Sequence, residues 1–449
     1  MHGNREIFPV LDDTERFPGL EDLRWVYYLR QHPKAPLYNF KSGDRLDSDG
    51  VERLHGYKRT LRKLGGTSSL SFIRAFYKEA RSQVPAYRNY PADFGDAPSM
   101  NRDDLRKAPW DYVKDSASLE NILCYATSGT TGAPLEVIFD AICASSWLPQ
   151  VELMLEKEGL GLEKGAGTTA VALICYQLET LTYASASSYL EGSGFIKVNL
   201  HPKQWRAPSD ASDYLLGLDP GLLTGDPLAF SALMELEIPL RPRAMISSAM
   251  TLSEGLAVKL EEYFHCPVYD VYSMTECRNI AFKRGGIMEK MRPDLYLEIL
   301  DPEAERVLGE GAWGELAISG GNNPYLPLIR YRTGDFCRLR NQGGRQFLED
   351  FQGRLPVRFP LPRGGWINTI DFSRALAPLA LASFQIAQQR DFSLVVRHQG
   401  KGELSRKIEK AIRGVLERYG AEDLPVSFGD PLPEISGQKI CSFVTEFER

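Results

Sequence analysis

Between residues 170 and 272 the chain alternates short apolar runs with segments of helical period, and few folds accept that order. Ala170-Val171-Ala172-Leu173-Ile174 is a continuous apolar run, the pattern of a strand covered on both faces. Residues 253–264, SEGLAVKLEEYF, place Leu256, Leu260, Tyr263 and Phe264 on one helical face, with Ser253 positioned as N-cap. Pro267-Val268-Tyr269-Asp270-Val271-Tyr272 then reads as another strand. Strand, helix and strand in succession predict an α/β core built from several sheets.

The flanks read differently. The first 120 residues look mainly helical and irregular, interrupted at Val84-Pro85 and Tyr90-Pro91. Within them SFIRAFYKEARSQ, residues 71–83, carries Phe72, Ile73, Phe76 and Tyr77 at helical spacing. Residues 293–340 look β-rich, with strands over 295–300 and 314–318 and a turn at Gly320-Gly321-Asn322-Asn323. A boundary is expected near Gly353. Beyond it 383–389 and 392–398 read as strands, 402–419 as a helix closed by Gly420, and 426–428 and 440–447 as further strand. The expectation is a large multi-sheet domain, 1–352, followed by a small α+β domain, 353–449.

A chain of 449 residues with 43% hydrophobic and 25% charged residues has the material for more than one core. Its net charge of -6 offers no global basic field for nucleic acid or an anionic membrane. Any anionic substrate must be met by local donors. The 7 cysteines are scattered without a CxxC pair, which argues against a disulfide framework and a zinc ribbon. The 6 histidines form no ligand-spaced pair. The first residues lack the apolar run of a signal peptide, and no stretch has the length of a membrane span. The reading is cytoplasmic, with no membrane and no nucleic-acid partner.

Three short segments carry chemistry. Tyr-Ala-Thr-Ser-Gly-Thr-Thr-Gly-Ala-Pro, residues 125–134, is a phosphate-handling composition. Glycines let backbone N–H groups approach an anion, and hydroxyls donate further hydrogen bonds. It is no Walker loop, because Gly-Lys-Ser/Thr does not follow. Tyr-Ser-Met-Thr-Glu, residues 272–276, sets an aromatic ring and a carboxylate at a strand end. Such a pair can stack on a base and hold Mg²⁺. Tyr-Arg-Thr-Gly-Asp, residues 331–335, ends on an acceptor suited to vicinal hydroxyls. Taken singly, each also fits an ordinary loop, surface turn or β-turn.

In this order and spacing the three segments resemble the acyl-adenylate-forming superfamily, and most of all its phenylacetate–CoA ligase type. Val84-Pro85-Ala86-Tyr87-Arg88 and Ile329-Arg330-Tyr331-Arg332-Thr333-Gly334-Asp335 are part of that likeness, which runs from about residue 70 onward. The resemblance implies ATP-dependent activation of an organic, possibly aromatic, carboxylic acid to acyl-AMP, then transfer to coenzyme A. ATP, Mg²⁺ and coenzyme A are the implied cofactors.

Residue roles follow by motif match. Thr127, Ser128, Gly129, Thr130, Thr131 and Gly132 would cradle the β- and γ-phosphates. Tyr272 would lie against adenine, Thr275 would bind the α-phosphate and Glu276 would hold Mg²⁺. Asp335 would accept the ribose hydroxyls, supported by Arg354. Ser247-Ser248-Ala249-Met250 would border the adenine and acyl pocket, with Ser248 and Ala249 at the nucleotide and Tyr176 on the acyl wall. Lys439, in Leu432-Pro433-Glu434-Ile435-Ser436-Gly437-Gln438-Lys439, matches the mobile lysine that bridges carboxylate and phosphate. A lysine is a compact point charge on a flexible stem, suited to that work. The 353–449 domain would then be its lid.

Several positions depart from the pattern. Ala133 and Leu135 stand where the phosphate loop often carries lysine, and Ser273 where glycine is common. Leu355-Pro356-Val357 replaces the usual polar hinge, and proline cannot swivel in φ. Gly364-Gly365 is the candidate for the glycine that would face the pantetheine arm. The metal cluster of some relatives is reduced to Cys277, so no structural zinc is expected. The hinge keeps open transfer to a carrier-protein thiol or an amine; the other alternative is a nucleotide-binding module without catalysis, against which Glu276, Asp335 and Lys439 argue.

Overall fold

The computed structural model describes residues 5–6, 11–65, 69–120, 122–126, 135–353, 357–399, 402–431 and 442–447. The alternating segment forms the parallel centre of the large sheet. Ser193–Asn199, Thr169–Cys175, Leu222–Gly225, Ala244–Ser248 and Val268–Met274 lie side by side in that order, all parallel. Helices Asp210–Leu218, Pro227–Glu235 and Glu254–Phe264 make the crossovers. The strands are apolar on both faces because helices cover both. Ser253 caps the last helix, its hydroxyl accepting from the Leu256 N–H at 3.3 Å, and Leu256, Leu260 and Phe264 are buried beneath it.

The same sheet continues antiparallel on the Val268–Met274 side, through Arg278–Lys283, Met288–Lys290, Arg345–Gln352, Leu328–Gln342, Trp313–Gly320 and Leu295–Leu300. Its register shifts between Asn279 and Ala281, between Phe336 and Arg338, and between Glu315 and Ala317. Such irregularities bend strands and raise twist, and this half of the sheet curls.

Against it packs helix Leu70–Gln83, capped by Ser69 and burying Ile73, Tyr77 and Ala80. The Val84-Pro85 break turns the chain so that the Tyr87 hydroxyl, itself buried, donates to the Pro327 carbonyl at 2.7 Å. A hairpin of Leu123–Ala126 and Glu136–Phe139 stands at the edge of this core. The segment 127–134 between its strands lies outside the described residues.

From Val357 onward the described residues share a core of their own, centred on Phe359, Phe372, Ile386, Val396, Ile412 and Leu416. Its sheet runs Val426–Phe428, Leu394–His398, Phe384–Gln388, Phe443–Thr445. Helix Glu403–Arg418 buries Ile408, Ile412, Val415 and Leu416 on one face, and Gly420 follows it at φ 61°, the left-handed stop that glycine supplies. Gly364 and Gly365 form the tip of the hairpin Arg358–Pro360/Trp366–Asn368. This unit rests on the start of helix Glu254–Phe264. The Ser253 hydroxyl donates to the Leu381 carbonyl at 3.0 Å, and the Gly255 N–H to that of Ala377 at 3.2 Å.

Gly255 is there because nothing larger fits. A Cβ on it would stand 2.4 Å from the Pro378 carbonyl oxygen and 2.5 Å from the Leu379 carbonyl carbon, both backbone. Gly414, inside helix Glu403–Arg418, has open space instead. Gly255→Ala should therefore destabilise the chain by about 1–3 kcal/mol through overpacking. Gly414→Ala should stabilise it by about 0.5–1 kcal/mol by reducing the freedom of the unfolded chain. Urea midpoints moving in opposite directions would check both.

Candidate active site

The switch from parallel to antiparallel pairing falls at Val268–Met274, and ligands in open α/β sheets collect outside the carboxyl ends of parallel strands. Three of the sequence-predicted residues stand at such ends. Tyr272 is on Val268–Met274, Ser248 closes Ala244–Ser248, and Tyr176 follows Thr169–Cys175. Ala249, next to Ser248, has φ 70°, a left-handed backbone that an L residue adopts at a cost of order 1–3 kcal/mol. The Ser247 hydroxyl is buried without a hydrogen-bond partner among the described residues.

Thr275, Glu276 and Cys277 form the tip of the hairpin between Val268–Met274 and Arg278–Lys283. A hairpin tip is usually wet, yet Glu276 is only 3% exposed. Strand Leu328–Gln342 explains how it stays there. The Tyr331 hydroxyl donates to Glu276 Oε1 at 2.8 Å. Four residues along, Asp335 Oδ2 accepts from the Tyr272 hydroxyl at 2.5 Å. One strand thus pins both the hairpin tip and the aromatic residue at its base. Burial and the neighbouring Asp335 carboxylate push the Tyr272 phenol well above its ordinary range, so it acts here as a donor. Its ring packs 4.4 Å from that of Phe351, centroid to centroid.

The pinning strand is itself clamped. Arg330, with the non-glycine φ of 42°, forms a buried pair with Glu298 at 3.1 Å and donates to the Gly95 and Ala97 carbonyls. Arg332 donates to Ser99 at 2.8 Å and to Glu315 at 2.7 Å. Gly334, at φ 77°, turns the strand so that its N–H reaches Glu315 Oε1 at 3.0 Å. The Thr333 hydroxyl donates to the Leu316 carbonyl at 2.8 Å. Arg330 and Arg332 are therefore structural anchors, while Tyr331 and Asp335 face the site.

Sequence reading missed the support beneath the tip. Arg292, 1% exposed, grips Asp294 with two hydrogen bonds of 2.9 and 2.6 Å and donates to the Cys277 carbonyl. Tyr57 donates to Asp294 at 2.9 Å, and Gln150 to Tyr57 at 3.1 Å. Asp294 holds the buried Arg292 charged, the condition for tolerating a cation there. No periodicity marks these residues, since they come from four separate elements. Arg292 and Asp294, opposite charges on either side of Pro293, were the available signal.

Arg278 also went unremarked. Its guanidinium lies 4.3 Å from the Phe139 ring centroid and 5.3 Å from that of Tyr125. Its Nε and Nη2 are buried without hydrogen-bond partners among the described residues. It borders a small hollow shared with Glu276, Cys143 and Asn322.

The structure thus brings together Tyr272, Thr275, Glu276 and Asp335, with Ser248 and Ala249 on the adjoining strand. Tyr176 stands three strands away, roughly 14 Å at the usual strand spacing, with its ring 6.1 Å from that of His201. Thr127 to Gly132, Arg354, Leu355, Pro356 and Lys439 lie outside the described residues.

The fold is that of solved ligase structures. Over 88% of this chain and 89% of the other, the fold superposes with a TM-score of 0.55, at 17% identity, on 2-hydroxyisobutyryl-CoA ligase in the postadenylation state in complex with R3-HIB-AMP. In sequence, the chain is 24% identical over 296 residues to the phenylacetate–coenzyme A ligase of Pseudomonas putida, covering 60% of this chain. It is 23% identical over 290 residues to that of Escherichia coli strain K12, covering 58% of this chain. The chain is similar in sequence to phenylacetate–coenzyme A ligases. It spans 65% and 64% of the length of those two curated relatives. No protein-family model matches it. No helix among the described residues of this ligase-like chain is long and apolar enough to cross a membrane.

Asp270 provides a pH-dependent test of the site's packing. It sits two residues before Tyr272, and burial pushes its carboxyl from 3.8 up to about 7, opposed by Lys283 and by the Leu252 N–H. The folded chain keeps this proton where the unfolded chain has released it. Stability should therefore fall as pH rises from 3.8 to about 7. Asp270→Asn, which stays neutral, should lose that part of the fall. Urea midpoints for both proteins at the two ends of the window measure it.

Proposed function

We propose that this protein activates an organic carboxylic acid with ATP, forming acyl-AMP and pyrophosphate, and then passes the acyl group to the thiol of coenzyme A. The observation that carries the reading is the joint pinning of Glu276 and Tyr272 by Tyr331 and Asp335, at 2.8 and 2.5 Å. It presents a carboxylate and an aromatic ring beside the hairpin whose connecting residues are Thr-Ser-Gly-Thr-Thr-Gly. The curated relatives named phenylacetate–coenzyme A ligase support coenzyme A as the acceptor, in preference to a carrier protein or an amine. Aryl and arylacetic acids are the first substrates to test.

In the first step a carboxylate oxygen attacks the α-phosphorus of ATP in line and pyrophosphate leaves. Little covalent work falls to the protein, so catalysis is positioning and charge stabilisation. Tyr272 would flank the adenine and Thr275 would donate to the α-phosphate. Asp335 would accept from the ribose hydroxyls. A Cβ on Gly353 would stand 3.7 Å from Asp335 Oδ1, and Arg354, the next residue in the chain, would support that carboxylate. One carboxylate with phosphate oxygens is an ordinary donor set for Mg²⁺, and Glu276 fits it. The ion would supply charge neutralisation at the phosphates. Lys439, on the 353–449 unit acting as lid, would bridge the attacking carboxylate and the α-phosphate. In the second step the thiol attacks the acyl carbonyl and AMP leaves.

Exchange of labelled pyrophosphate into ATP, dependent on a carboxylic acid and independent of any acceptor, tests the first step. Absence of exchange across a broad acid panel would overturn the proposal. Lys439→Ala should lower exchange about a hundredfold, the effect of losing about 2.7 kcal/mol of transition-state stabilisation, while ATP still binds.

Two further variants divide the roles. Glu276→Gln should raise the Mg²⁺ concentration needed for half-maximal exchange. Asp335→Ala should weaken ATP at saturating Mg²⁺. Separate titrations of ATP and Mg²⁺ on both proteins check this, and identical magnesium dependence would remove Glu276 from metal binding.

A further inference from the structure

Residues 121–140 contain neither lysine nor arginine. The phosphate loop therefore has no cation of its own to set against a triphosphate. Leu135, at one of the positions where a lysine was expected, is buried in the core at 2% exposure. A charge must come from elsewhere in the fold.

Arg278 is placed to supply it. It follows the Glu276-Cys277 tip directly, and both Glu276 and Arg278 border the same hollow. Its backbone has φ 67°, a left-handed conformation that a bulky residue rarely adopts and that is kept where the surroundings demand it. The guanidinium is held against Phe139 and Tyr125, at 4.3 and 5.3 Å, on the two strands that flank residues 127–134. Stacked faces leave the in-plane N–H groups as the only hydrogen-bonding edge. Two of those nitrogens, Nε and Nη2, are buried without a partner, and no ion pair of Arg278 is found among the described residues. A buried cation without an anion is costly, and ring contacts offset only part of that cost. Arg292 and Arg330, by contrast, each have a carboxylate.

We propose that Arg278 binds the β- and γ-phosphates of ATP, and the departing pyrophosphate, in place of the missing phosphate-loop lysine. The proposal rests on the ATP-dependent reading above and assigns the charge that reading lacks. A planar guanidinium takes two phosphate oxygens at once. The stack on Tyr125 and Phe139 orients it before nucleotide arrives, so little side-chain freedom is lost on binding.

Calorimetric titration of the full chain with ATP, AMP and inorganic pyrophosphate, in the presence of Mg²⁺, tests it. Arg278→Met should weaken ATP and pyrophosphate by roughly ten- to a hundredfold, the range of a charged hydrogen bond, and leave AMP near its wild-type affinity. Arg278→Lys, which keeps the charge and loses the fork, should recover part of the loss and covers the case in which the methionine variant does not fold. Pyrophosphate alone should raise the melting temperature of the wild type more than that of either variant. If ATP and AMP weaken together, or neither changes, Arg278 is only a packing residue and the assignment falls while the adenylation reading stands. If the wild type binds neither nucleotide, the adenylation reading falls and takes the assignment with it.

Discussion

The curl of the antiparallel half of the sheet is the constraint on which the site depends. Strands Val268–Met274 and Leu328–Gln342 are four places apart in the sheet order, a separation of roughly 19 Å if the sheet were flat. Their side chains nevertheless meet, Tyr331 on Glu276 and Tyr272 on Asp335, at 2.8 and 2.5 Å. Only a sheet that turns back on itself can do this. The register shifts in the intervening ladders are where the extra twist enters.

That closure explains the pattern of buried charge around the site. A hairpin tip folded into the interior carries carbonyls and a carboxylate that water can no longer satisfy. Tyr331 serves the Glu276 carboxylate, and Arg292 the Cys277 carbonyl. Arg292 is in turn neutralised by Asp294, which Tyr57 also contacts. Arg330 and Glu298 do the same for the pinning strand. Breaking one member of such a pair leaves the other charge uncompensated, typically a loss of about 3–5 kcal/mol. These residues thereby stabilise one geometry of the tip over its alternatives.

The comparison with known ligases bears on the same point. Identity of 24% over 296 residues is low, yet the strand order superposes over most of the chain. Several departures from the resemblance fall in the segments it assigns to the phosphates or the hinge: Ala133, Leu135 and Leu355-Pro356. Arg278 is the case where a described side chain stands opposite such a departure.

Local pattern determined a great deal by itself. The apolar run at Ala170–Ile174, the helical face of Leu256, Leu260 and Phe264, the Ser253 cap and the strand into Tyr272 depend on neighbours a few residues away, and all are found as read. The helix ending at Gly420 and the strands on either side of it are local in the same sense. The three motifs could be recognised only together, from their order and spacing, since singly each also fits an ordinary loop or turn. What only the tertiary structure decided is how those motifs are joined. Tyr331 and Glu276 are 55 residues apart in sequence. Nothing periodic relates them, because their contact is made by the curvature of a sheet summed over four ladders. Arg278 shows the same limit: in sequence it is one basic residue after a turn. Its stack between two strands and its unpartnered donors exist only once the hairpin Leu123–Ala126/Glu136–Phe139 is laid against it.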